Sequence, residues 1–249
     1  MNDGFVFTVG KRRLAVFSLS RLPENLCEYA GLGFDLYIIL TPSRDFDTAL
    51  KVFDRFMCEY IPEPDVLLAV ALFFFKIRGL PLNELDIECQ GIPVRIKARV
   101  LDGDRCLLEL DECKLLSTNS YVTASGTELK VSTLVYLDRF FVRCIRCCNT
   151  DCVRPVALKE LNFIDGEMDA LVSAAYSLCD NEITLVGEAD RAVSLLLCAS
   201  LLDASRRRLI NEPVRVRCEC GICELRLEGS GVIDLLYSYG VEKINGKEG

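Results

Sequence analysis

The stretch CEYIPEPDVLLAVALFFF, residues Cys58 to Phe75, decides the fold prediction. From Asp65 to about Arg78 apolar residues occupy nearly every position, which predicts a helix that is buried on all of its faces. Pro64 suits the first turn of this helix, where a missing backbone amide needs no partner. Such a helix must be covered on every side, and a sheet curled around it would provide that cover.

The composition restricts the class of protein. The chain has 249 residues, 51% of them hydrophobic and 27% charged, which is typical of one large or two smaller globular domains. No segment reaches the roughly 18 uninterrupted apolar residues of a membrane span, and the N-terminus lacks the layout of a signal peptide. We therefore expect a cytoplasmic protein with no membrane partner. The net charge of −8 argues against nucleic acid as a partner.

The chain contains fourteen cysteines and no histidine. Without histidine there is no Ser-His or Cys-His nucleophile pair and no histidine metal ligand. Disulfides are rare in the cytosol except in hyperthermophiles. The lack of His and the scarcity of Gln would suit a thermophilic source.

Four cysteines have the minimum spacing of a zinc site: the pairs Cys144/Cys147 and Cys220/Cys223. The alternatives are small buried residues and disulfides between neighbouring strands. Only the second pair encloses a turn residue, Gly221, as paired zinc knuckles usually do. We therefore favour packing or disulfides over a metal, and we expect no cofactor.

The two halves of the sequence repeat one order of elements, namely an apolar helix, a strand and a hairpin. PVRI (Pro93–Ile96) and ELRL (Glu224–Leu227) correspond at a spacing of about 130 residues. We predict an α+β fold of two pseudo-symmetric lobes, each a curved, mostly antiparallel sheet around a buried central helix. The repeated elements are the helix 65–78, the strand 85–89 and a hairpin around 102–104, and then the helix 191–209, the strand 213–219 and a hairpin around 229–231.

A polar segment near the middle of the chain predicts the boundary between the lobes. Ser, Thr, Asn and Gly cluster in STNSYVTASG, residues 117–126, which is typical of a linker. We therefore predict an N-terminal lobe over 1–118 and a C-terminal lobe over 119–249. The last strand, about 241–249, could return to the first lobe.

Several segments resemble diaminopimelate epimerases. LCEYAGLGFDLYIIL (Leu26–Leu40) is similar to the family's N-terminal signature, and KVFD (Lys51–Asp54) stands where the family has its Arg-Ile-Phe-Asn strand. LYSYGVEKING (Leu236–Gly246) is similar to its closing strand. The resemblance implies the same two-lobed fold, dimerisation, and cofactor-independent inversion of an α-carbon by two cysteines, one in each lobe.

Both catalytic cysteines of that family are missing here. Counted without gaps from KVFD, the place of the first falls on Glu63, with Pro64 as the alternative. The place of the second falls at about Ala192 or Val193. The family's Asn-Pro-His substrate loop is also absent, so the loss affects several parts of the site.

Two interpretations explain the acidic residues at these positions. In the first, Asp65 and Asp190 cap the helices and fill sites that would otherwise hold a substrate carboxylate. In the second, Glu63 and Asp190 are a facing acid and base, as in the phenazine-biosynthesis isomerases, which share this fold. Asp65 and Arg191 would then contact the substrate.

We take a degenerate epimerase-like subunit as the leading hypothesis. It would lack cysteine-based activity and act in binding or assembly, as a homodimer or as a heterodimer with an active paralogue. The alternative from the enzyme class is a cofactor-independent amino-acid epimerase or isomerase that uses Glu63 and Asp190. The third hypothesis is a structural protein stabilised by zinc or disulfides.

Overall fold

The computed structural model divides the chain into two compact units. The first comprises Met1–Glu109 and Leu236–Gly249, and the second comprises Leu110–Leu235. Side chains are described almost entirely in the first unit. The described residues are 4–10, 12–23, 31–60, 62–81, 84–89, 91–101, 104–110, 113–122, 126, 128–136, 140–146, 170–179, 182–186, 214–218, 221–227 and 233–244.

The first unit is a barrel-like sheet of eight strands with one helix. Its strands follow in the order β1 to β7 and then β15, and β1 also pairs with β15, so the ring closes. The elements are β1 Gly4–Val9, β2 Arg12–Ser18, β3 Leu36–Thr41, β4 Thr48–Asp54, helix α1 Pro64–Leu72, β5 Glu84–Cys89, β6 Ile92–Val100, β7 Arg105–Leu110 and β15 Ile233–Lys243.

Helix α1 connects two parallel strands. β4 pairs with β5 in parallel, and such a pair needs a long crossover connection, which α1 provides. All nine residues of α1 are buried, and the helix packs against β1, β2 and β6. The prediction of a helix that is covered on every face is therefore confirmed over these residues and Phe73, whereas Lys76 and Arg78 at the end of the predicted 65–78 are exposed. Each fully buried Val or Leu contributes about 1.5–3 kcal/mol to folding.

The helix changes its geometry after Leu72. Residues Phe73–Ile77 form a π-helical turn, in which the amide of Arg78 donates to the carbonyl oxygen of Phe73 over 3.0 Å. The helical segment thus covers the predicted 65–78, but its last turn is wider than an α-helix. The exposed Lys76 in this turn reaches β15, where its Nζ lies 2.7 Å from the hydroxyl oxygen of Tyr239.

Hydrophobic side chains are buried on both faces of the central strands. β3 is buried from Leu36 to Leu40, whereas a strand with one face in water would alternate. One core cluster contains Val6, Ala15, Phe17, Leu19, Phe34, Tyr37, Ile39 and Phe53.

The predicted strand and hairpin after α1 are confirmed. β5 contains the predicted strand 85–89 and pairs antiparallel with β6. β6 pairs antiparallel with β7, and the amide of Leu101 donates to the carbonyl oxygen of Arg105 at the hairpin end over 2.9 Å.

The second unit contains seven strands besides the start of β15. In sheet order they follow β15 as β14, β13, β12, β11, β10, β9 and β8. Two pairs are parallel, β10–β11 and β12–β13. The other four are antiparallel: β8–β9, β9–β10, β11–β12 and β13–β14. The strands are β8 Cys113–Val122, β9 Glu128–Tyr136, β10 Phe140–Arg146, β11 Ala170–Cys179, β12 Glu182–Val186, β13 Val214–Cys218 and β14 Gly221–Leu227.

The polar segment 117–126 is not a linker over its first half. β8 continues to Val122, and Ser120 pairs with Lys130 of β9. The side chains of Asn119, Ser120 and Val122 are exposed, and a strand tolerates polar residues on an exposed face. The predicted lobe boundary between 118 and 119 therefore lies inside a strand. The predicted second helix, 191–209, lies outside the described residues.

The last strand pairs with the first. Lys243 of β15 is opposite Phe5 of β1, and the register continues to Tyr239 opposite Val9. Across the described parts of the chain, no helix is long and apolar enough to cross a membrane.

Candidate active site

The N-terminus of α1 carries the two acidic side chains that the sequence singled out. Pro64 restricts the residue before it to extended backbone, and Glu63 has φ −62° and ψ 161°. The carbonyl oxygen of Glu63 accepts the first helical hydrogen bond from the amide of Leu67 over 3.1 Å. Its side chain makes no capping hydrogen bond and is therefore available for contacts outside the helix.

Asp65 binds the helix end and a cation at the same time. Its Oδ1 accepts a hydrogen bond from the amide of Val66 over 2.9 Å, and its Oδ2 lies 2.7 Å from Nη1 of Arg12. A carboxylate at this position interacts favourably with the positive end of the helix dipole. Asp65 thus accepts one backbone amide of the first turn and also contacts Arg12, while the N-cap residue itself is Glu63.

Arg12 bridges both carboxylates from the first residue of β2. Its Nη1 contacts Oε2 of Glu63 as well as Oδ2 of Asp65. The Arg12 side chain is 12% exposed, that of Asp65 is 3% exposed, and that of Glu63 is 0% exposed. One guanidinium therefore faces two buried carboxyl groups.

Tyr60 is the fourth member of the cluster. Its hydroxyl donates to Oε1 of Glu63 over 2.8 Å, and its backbone amide donates to the carbonyl oxygen of Val52 over 2.8 Å. Asp54 holds the turn before Tyr60, because its Oδ1 accepts hydrogen bonds from the amides of Phe56 and Cys58 over 2.8 and 2.9 Å. The chain after β4 is thereby fixed, and Tyr60 is held against Glu63.

Burial has the largest effect on the pKa of Glu63. Together with the nearby Asp65 it raises this pKa to about 8, although Arg12 and the Tyr60 hydroxyl act in the opposite direction. Removal of the carboxyl from water disfavours its charged form, and this effect outweighs the attraction of Arg12. Glu63 is therefore largely protonated at neutral pH.

The pKa values of Tyr60 and Arg12, the two partners of Glu63, are also shifted. Burial and the neighbouring Glu63 raise the pKa of Tyr60, which keeps its phenol neutral. Burial alone would lower the pKa of Arg12, but the Asp65 and Glu63 carboxylates outweigh it and raise that pKa. Arg12 thus stays charged, whereas the pKa of Glu63 lies near neutral pH. A carboxyl with a pKa near the working pH is suited to general acid–base catalysis.

The other sequence-based candidates are untested. Asp190 and Arg191 lie outside the described residues, as do Cys147 and Cys220. Cys144 lies in β10 and Cys223 lies in β14, but the structure describes only the backbone of these two residues. Where side chains are described, no group of three His, Cys, Asp or Glu residues could hold a metal ion. The zinc site remains a prediction.

Arg12 and Tyr60 were not among the candidates from the sequence. Arg12 follows the turn at Gly10, and it is 51 residues from Glu63 in the chain, so that only the tertiary fold brings the two together. Tyr60 precedes Glu63 by three residues, and this spacing is the one feature that could have suggested a contact.

The comparisons with known proteins concern the fold. No family model matches the sequence, and no curated protein matches it. Solved structures do match over nearly the whole chain. The chain shares its fold with solved structures that include a phenazine-biosynthesis PhzC/PhzF protein from Clostridium difficile and a probable proline racemase from Agrobacterium radiobacter.

Three neighbours illustrate the likeness. A predicted epimerase from Pseudomonas aeruginosa is 12% identical, with a TM-score of 0.70 and 100% of both chains covered. A hydroxyproline epimerase from Agrobacterium vitis is 11% identical, with a TM-score of 0.66, and the match covers 97% of this chain and 92% of that one. A methylitaconate-delta-isomerase is 11% identical, with a TM-score of 0.65, and the match covers 98% and 95%.

Proposed function

We propose that the protein is a cofactor-independent isomerase or epimerase in which Glu63 transfers a proton at one end of the site. The observation that carries the proposal is a buried carboxyl, held by Arg12 and Tyr60, whose pKa lies near 8. The fold supports it too, since a hydroxyproline epimerase, a probable proline racemase and a methylitaconate-delta-isomerase are among the solved structures that are similar to this chain.

Inversion or isomerisation at carbon needs two proton-transferring groups. One removes a proton from carbon, and the other returns a proton to the opposite face or to another carbon. Asp190 is our proposal for the second group, from its position in the sequence. We further propose two pseudo-symmetric lobes of the diaminopimelate-epimerase type. The succession of strand directions from β1 to β6 recurs from β9 to β14, which supports this arrangement.

One observation favours the binding-subunit hypothesis as a second candidate. Asp65 occupies an amide at the N-terminus of α1, where the sequence resemblance implies that a substrate carboxylate binds. If Asp65 blocks that place, the chain would bind a partner and catalyse nothing. The likeness to isomerases makes us prefer catalysis, and the experiment below separates the two.

The test is exchange of the carbon-bound proton with solvent. The protein is incubated in deuterated water with diaminopimelate, proline, trans-4-hydroxy-L-proline, other amino acids and methylitaconate, and the proton signals are followed by NMR. We expect exchange with at least one compound. Glu63→Gln should slow it about 10²–10⁴-fold, because a general acid–base group is removed. Asp190→Asn should slow it similarly if Asp190 is the second group.

Glu109→Gln is the matched control. Glu109 also pairs with a cation, Lys97, but the two side chains are 35% and 33% exposed, and neither is among the contacts of Glu63. Its replacement should leave the exchange rate unchanged. Full exchange in Glu63→Gln would refute the proposed role of Glu63. No exchange with any compound in the wild-type protein would favour the binding subunit instead.

A further inference from the structure

We propose that the hydroxyl of Tyr60 carries protons between the buried Glu63 carboxyl and a substrate. The inference rests on the proposed function and adds a catalytic residue to it. Glu63 is 0% exposed, so its carboxyl has no surface of its own from which to reach a carbon atom. Its oxygens are contacted by Tyr60 on Oε1 and by Arg12 on Oε2.

Of these two partners, the chemistry of proton transfer selects Tyr60. A guanidinium donates hydrogen bonds but does not release its proton in proteins, and Arg12 is held more firmly in its charged form than an ordinary arginine. A phenol can donate one proton and accept another at the same oxygen. Only Tyr60 can therefore relay a proton without becoming charged.

The position of Tyr60 fits a relay. Tyr60 is partly exposed, whereas its hydrogen-bond partner Glu63 is fully buried. Its backbone is tied to β4 through the carbonyl oxygen of Val52, and the Asp54 turn precedes it. The distance of 2.8 Å to Oε1 of Glu63 is normal for a hydrogen bond between two oxygens.

Arg12 determines which oxygen of Glu63 holds the proton. Arg12 donates to Oε2 and Tyr60 donates to Oε1. A proton taken up by Glu63 would therefore bond to Oε1, opposite the Tyr60 oxygen, and reverse the second hydrogen bond. The hydrogen bond then runs from Glu63 to Tyr60. When Glu63 is ionised, the same bond runs from Tyr60 to Glu63. Reversal of this one hydrogen bond is the relay step.

The transfer is balanced in atoms and charge. In the basic direction a carbon–hydrogen bond of the substrate breaks, and its electron pair stays on carbon. The proton bonds to the Tyr60 oxygen while the original phenolic proton moves to Oε1 of Glu63. The carboxylate becomes neutral and the substrate gains one negative charge. In the acidic direction every movement is reversed, and no further reactant is needed.

The charged groups around Glu63 predict the pH range of each direction. Arg12 from β2, Asp65 from α1 and the phenol of Tyr60 all face it. With the pKa of Glu63 at about 8, the dyad holds a proton to donate at neutral pH and accepts one above that value.

The first experiment needs no substrate. Hydrogen–deuterium exchange of the protonated Glu63 carboxyl is followed near neutral pH by rapid-mixing infrared spectroscopy, and its band is identified by its loss in Glu63→Gln. In Tyr60→Phe we expect exchange at least about tenfold slower than in the wild type, because the buried carboxyl must wait for local opening. An unchanged rate in Tyr60→Phe would overturn the relay.

Tyr239→Phe is the control for loss of a phenol. Tyr239 is also in the first unit and also has a polar partner, Lys76, but neither residue is among the contacts of Glu63. In Tyr239→Phe the Glu63 carboxyl should exchange at the wild-type rate. Replacement of Tyr60 by 3-fluorotyrosine keeps the hydroxyl and makes it a stronger acid, so it should change the exchange rate of the Glu63 carboxyl if the phenol carries the proton. It serves as the test if Tyr60→Phe does not fold, and a rate identical to that of the wild type over the whole pH range would overturn the proposal.

The second experiment separates this inference from the proposed function. With a compound that the wild type deuterates, Tyr60→Phe should lose exchange about 10²–10⁴-fold, as Glu63→Gln does, and 3-fluorotyrosine should restore it. Full substrate exchange in Tyr60→Phe would overturn the relay and leave the role of Glu63 intact. If the wild type deuterates no compound, the proposed function fails, and the infrared experiment still decides whether Tyr60 relays protons.

Discussion

The buried cluster at α1 and the exposed ion pair between β5 and β6 use the same residue types with opposite results. Arg95 binds both carboxylate oxygens of Asp86 over 2.7 and 3.0 Å, and their side chains are 56% and 47% exposed. The Arg95 hydrogen bond holds the pKa of Asp86 below its ordinary value. At α1, burial and a second carboxylate raise the pKa of Glu63 even though Arg12 is in contact. The environment, and not the presence of arginine, decides the direction of the shift.

The largest effect should come from removal of the shared cation. Arg12→Met leaves Glu63 and Asp65 buried without a positive charge, and we expect the free energy of unfolding to fall by about 3–5 kcal/mol. The loss should shrink as the pH is lowered, because protonation then neutralises the carboxyl groups. Urea unfolding at several pH values measures it.

Arg95→Met is the control for that substitution. It removes an arginine from an exposed pair, which contributes about 0–1 kcal/mol. Equal losses in Arg12→Met and Arg95→Met would show that the α1 cluster is energetically an ordinary surface pair.

The next effect is the pH dependence of the wild-type protein. The pKa of Glu63 is higher in the folded state, about 8, than its ordinary value of 4.5, so folding takes up a proton between these values. This stabilisation is complete below the lower value and is lost as the pH rises through the higher one. The slope is at most about 1.4 kcal/mol per pH unit for one proton.

Glu63→Gln should remove that slope, since the amide does not titrate. Urea unfolding of the two proteins over the same pH range gives the comparison. A wild-type stability that rises between these pH values, with no change of slope in Glu63→Gln, would mean that Glu63 is ionised in the folded protein.

The smallest effect is expected at the exposed pair. Asp86→Asn should change the free energy of unfolding by less than about 1 kcal/mol, because both side chains are well solvated. Its sign with pH is opposite to that of Glu63. The lowered pKa of Asp86 gives a contribution that is present above the ordinary value and is lost as the pH falls.

A double-mutant cycle of Asp86→Asn with Arg95→Met measures the coupling energy directly. Added salt should reduce this coupling, since exposed charges are screened. A coupling energy as large as the Arg12→Met loss would remove the contrast between the two regions.

Much of the first unit could be predicted from the sequence because its patterns are local. The unbroken apolar run after Asp65 predicted the buried helix, and the repeated order of elements predicted β5 and the β6–β7 hairpin. The π-helical turn at Phe73 could not be predicted, because an apolar run shows no preferred helical period. The polar residues of β8 were interpreted as part of a linker, because an exposed strand face and a linker have similar composition.

The site was predictable only in part, for the same physical reason. The resemblance, counted from KVFD, identified Glu63, and the position at a helix start identified Asp65. Arg12 reaches them from another strand, and its contribution depends on strand pairing that no local pattern encodes. The raised pKa of Glu63 arises from burial and from the count of charges around it, which exist only in the folded protein.

The most direct measurement is the titration of Glu63 itself. The side-chain carboxyl carbon of glutamate is labelled with carbon-13, the Glu63 signal is assigned by its absence in Glu63→Gln, and its shift is followed with pH. We predict a midpoint at about 8. A midpoint at or below the ordinary 4.5 would show that Arg12 outweighs burial and Asp65, and that Glu63 holds no proton to transfer at neutral pH.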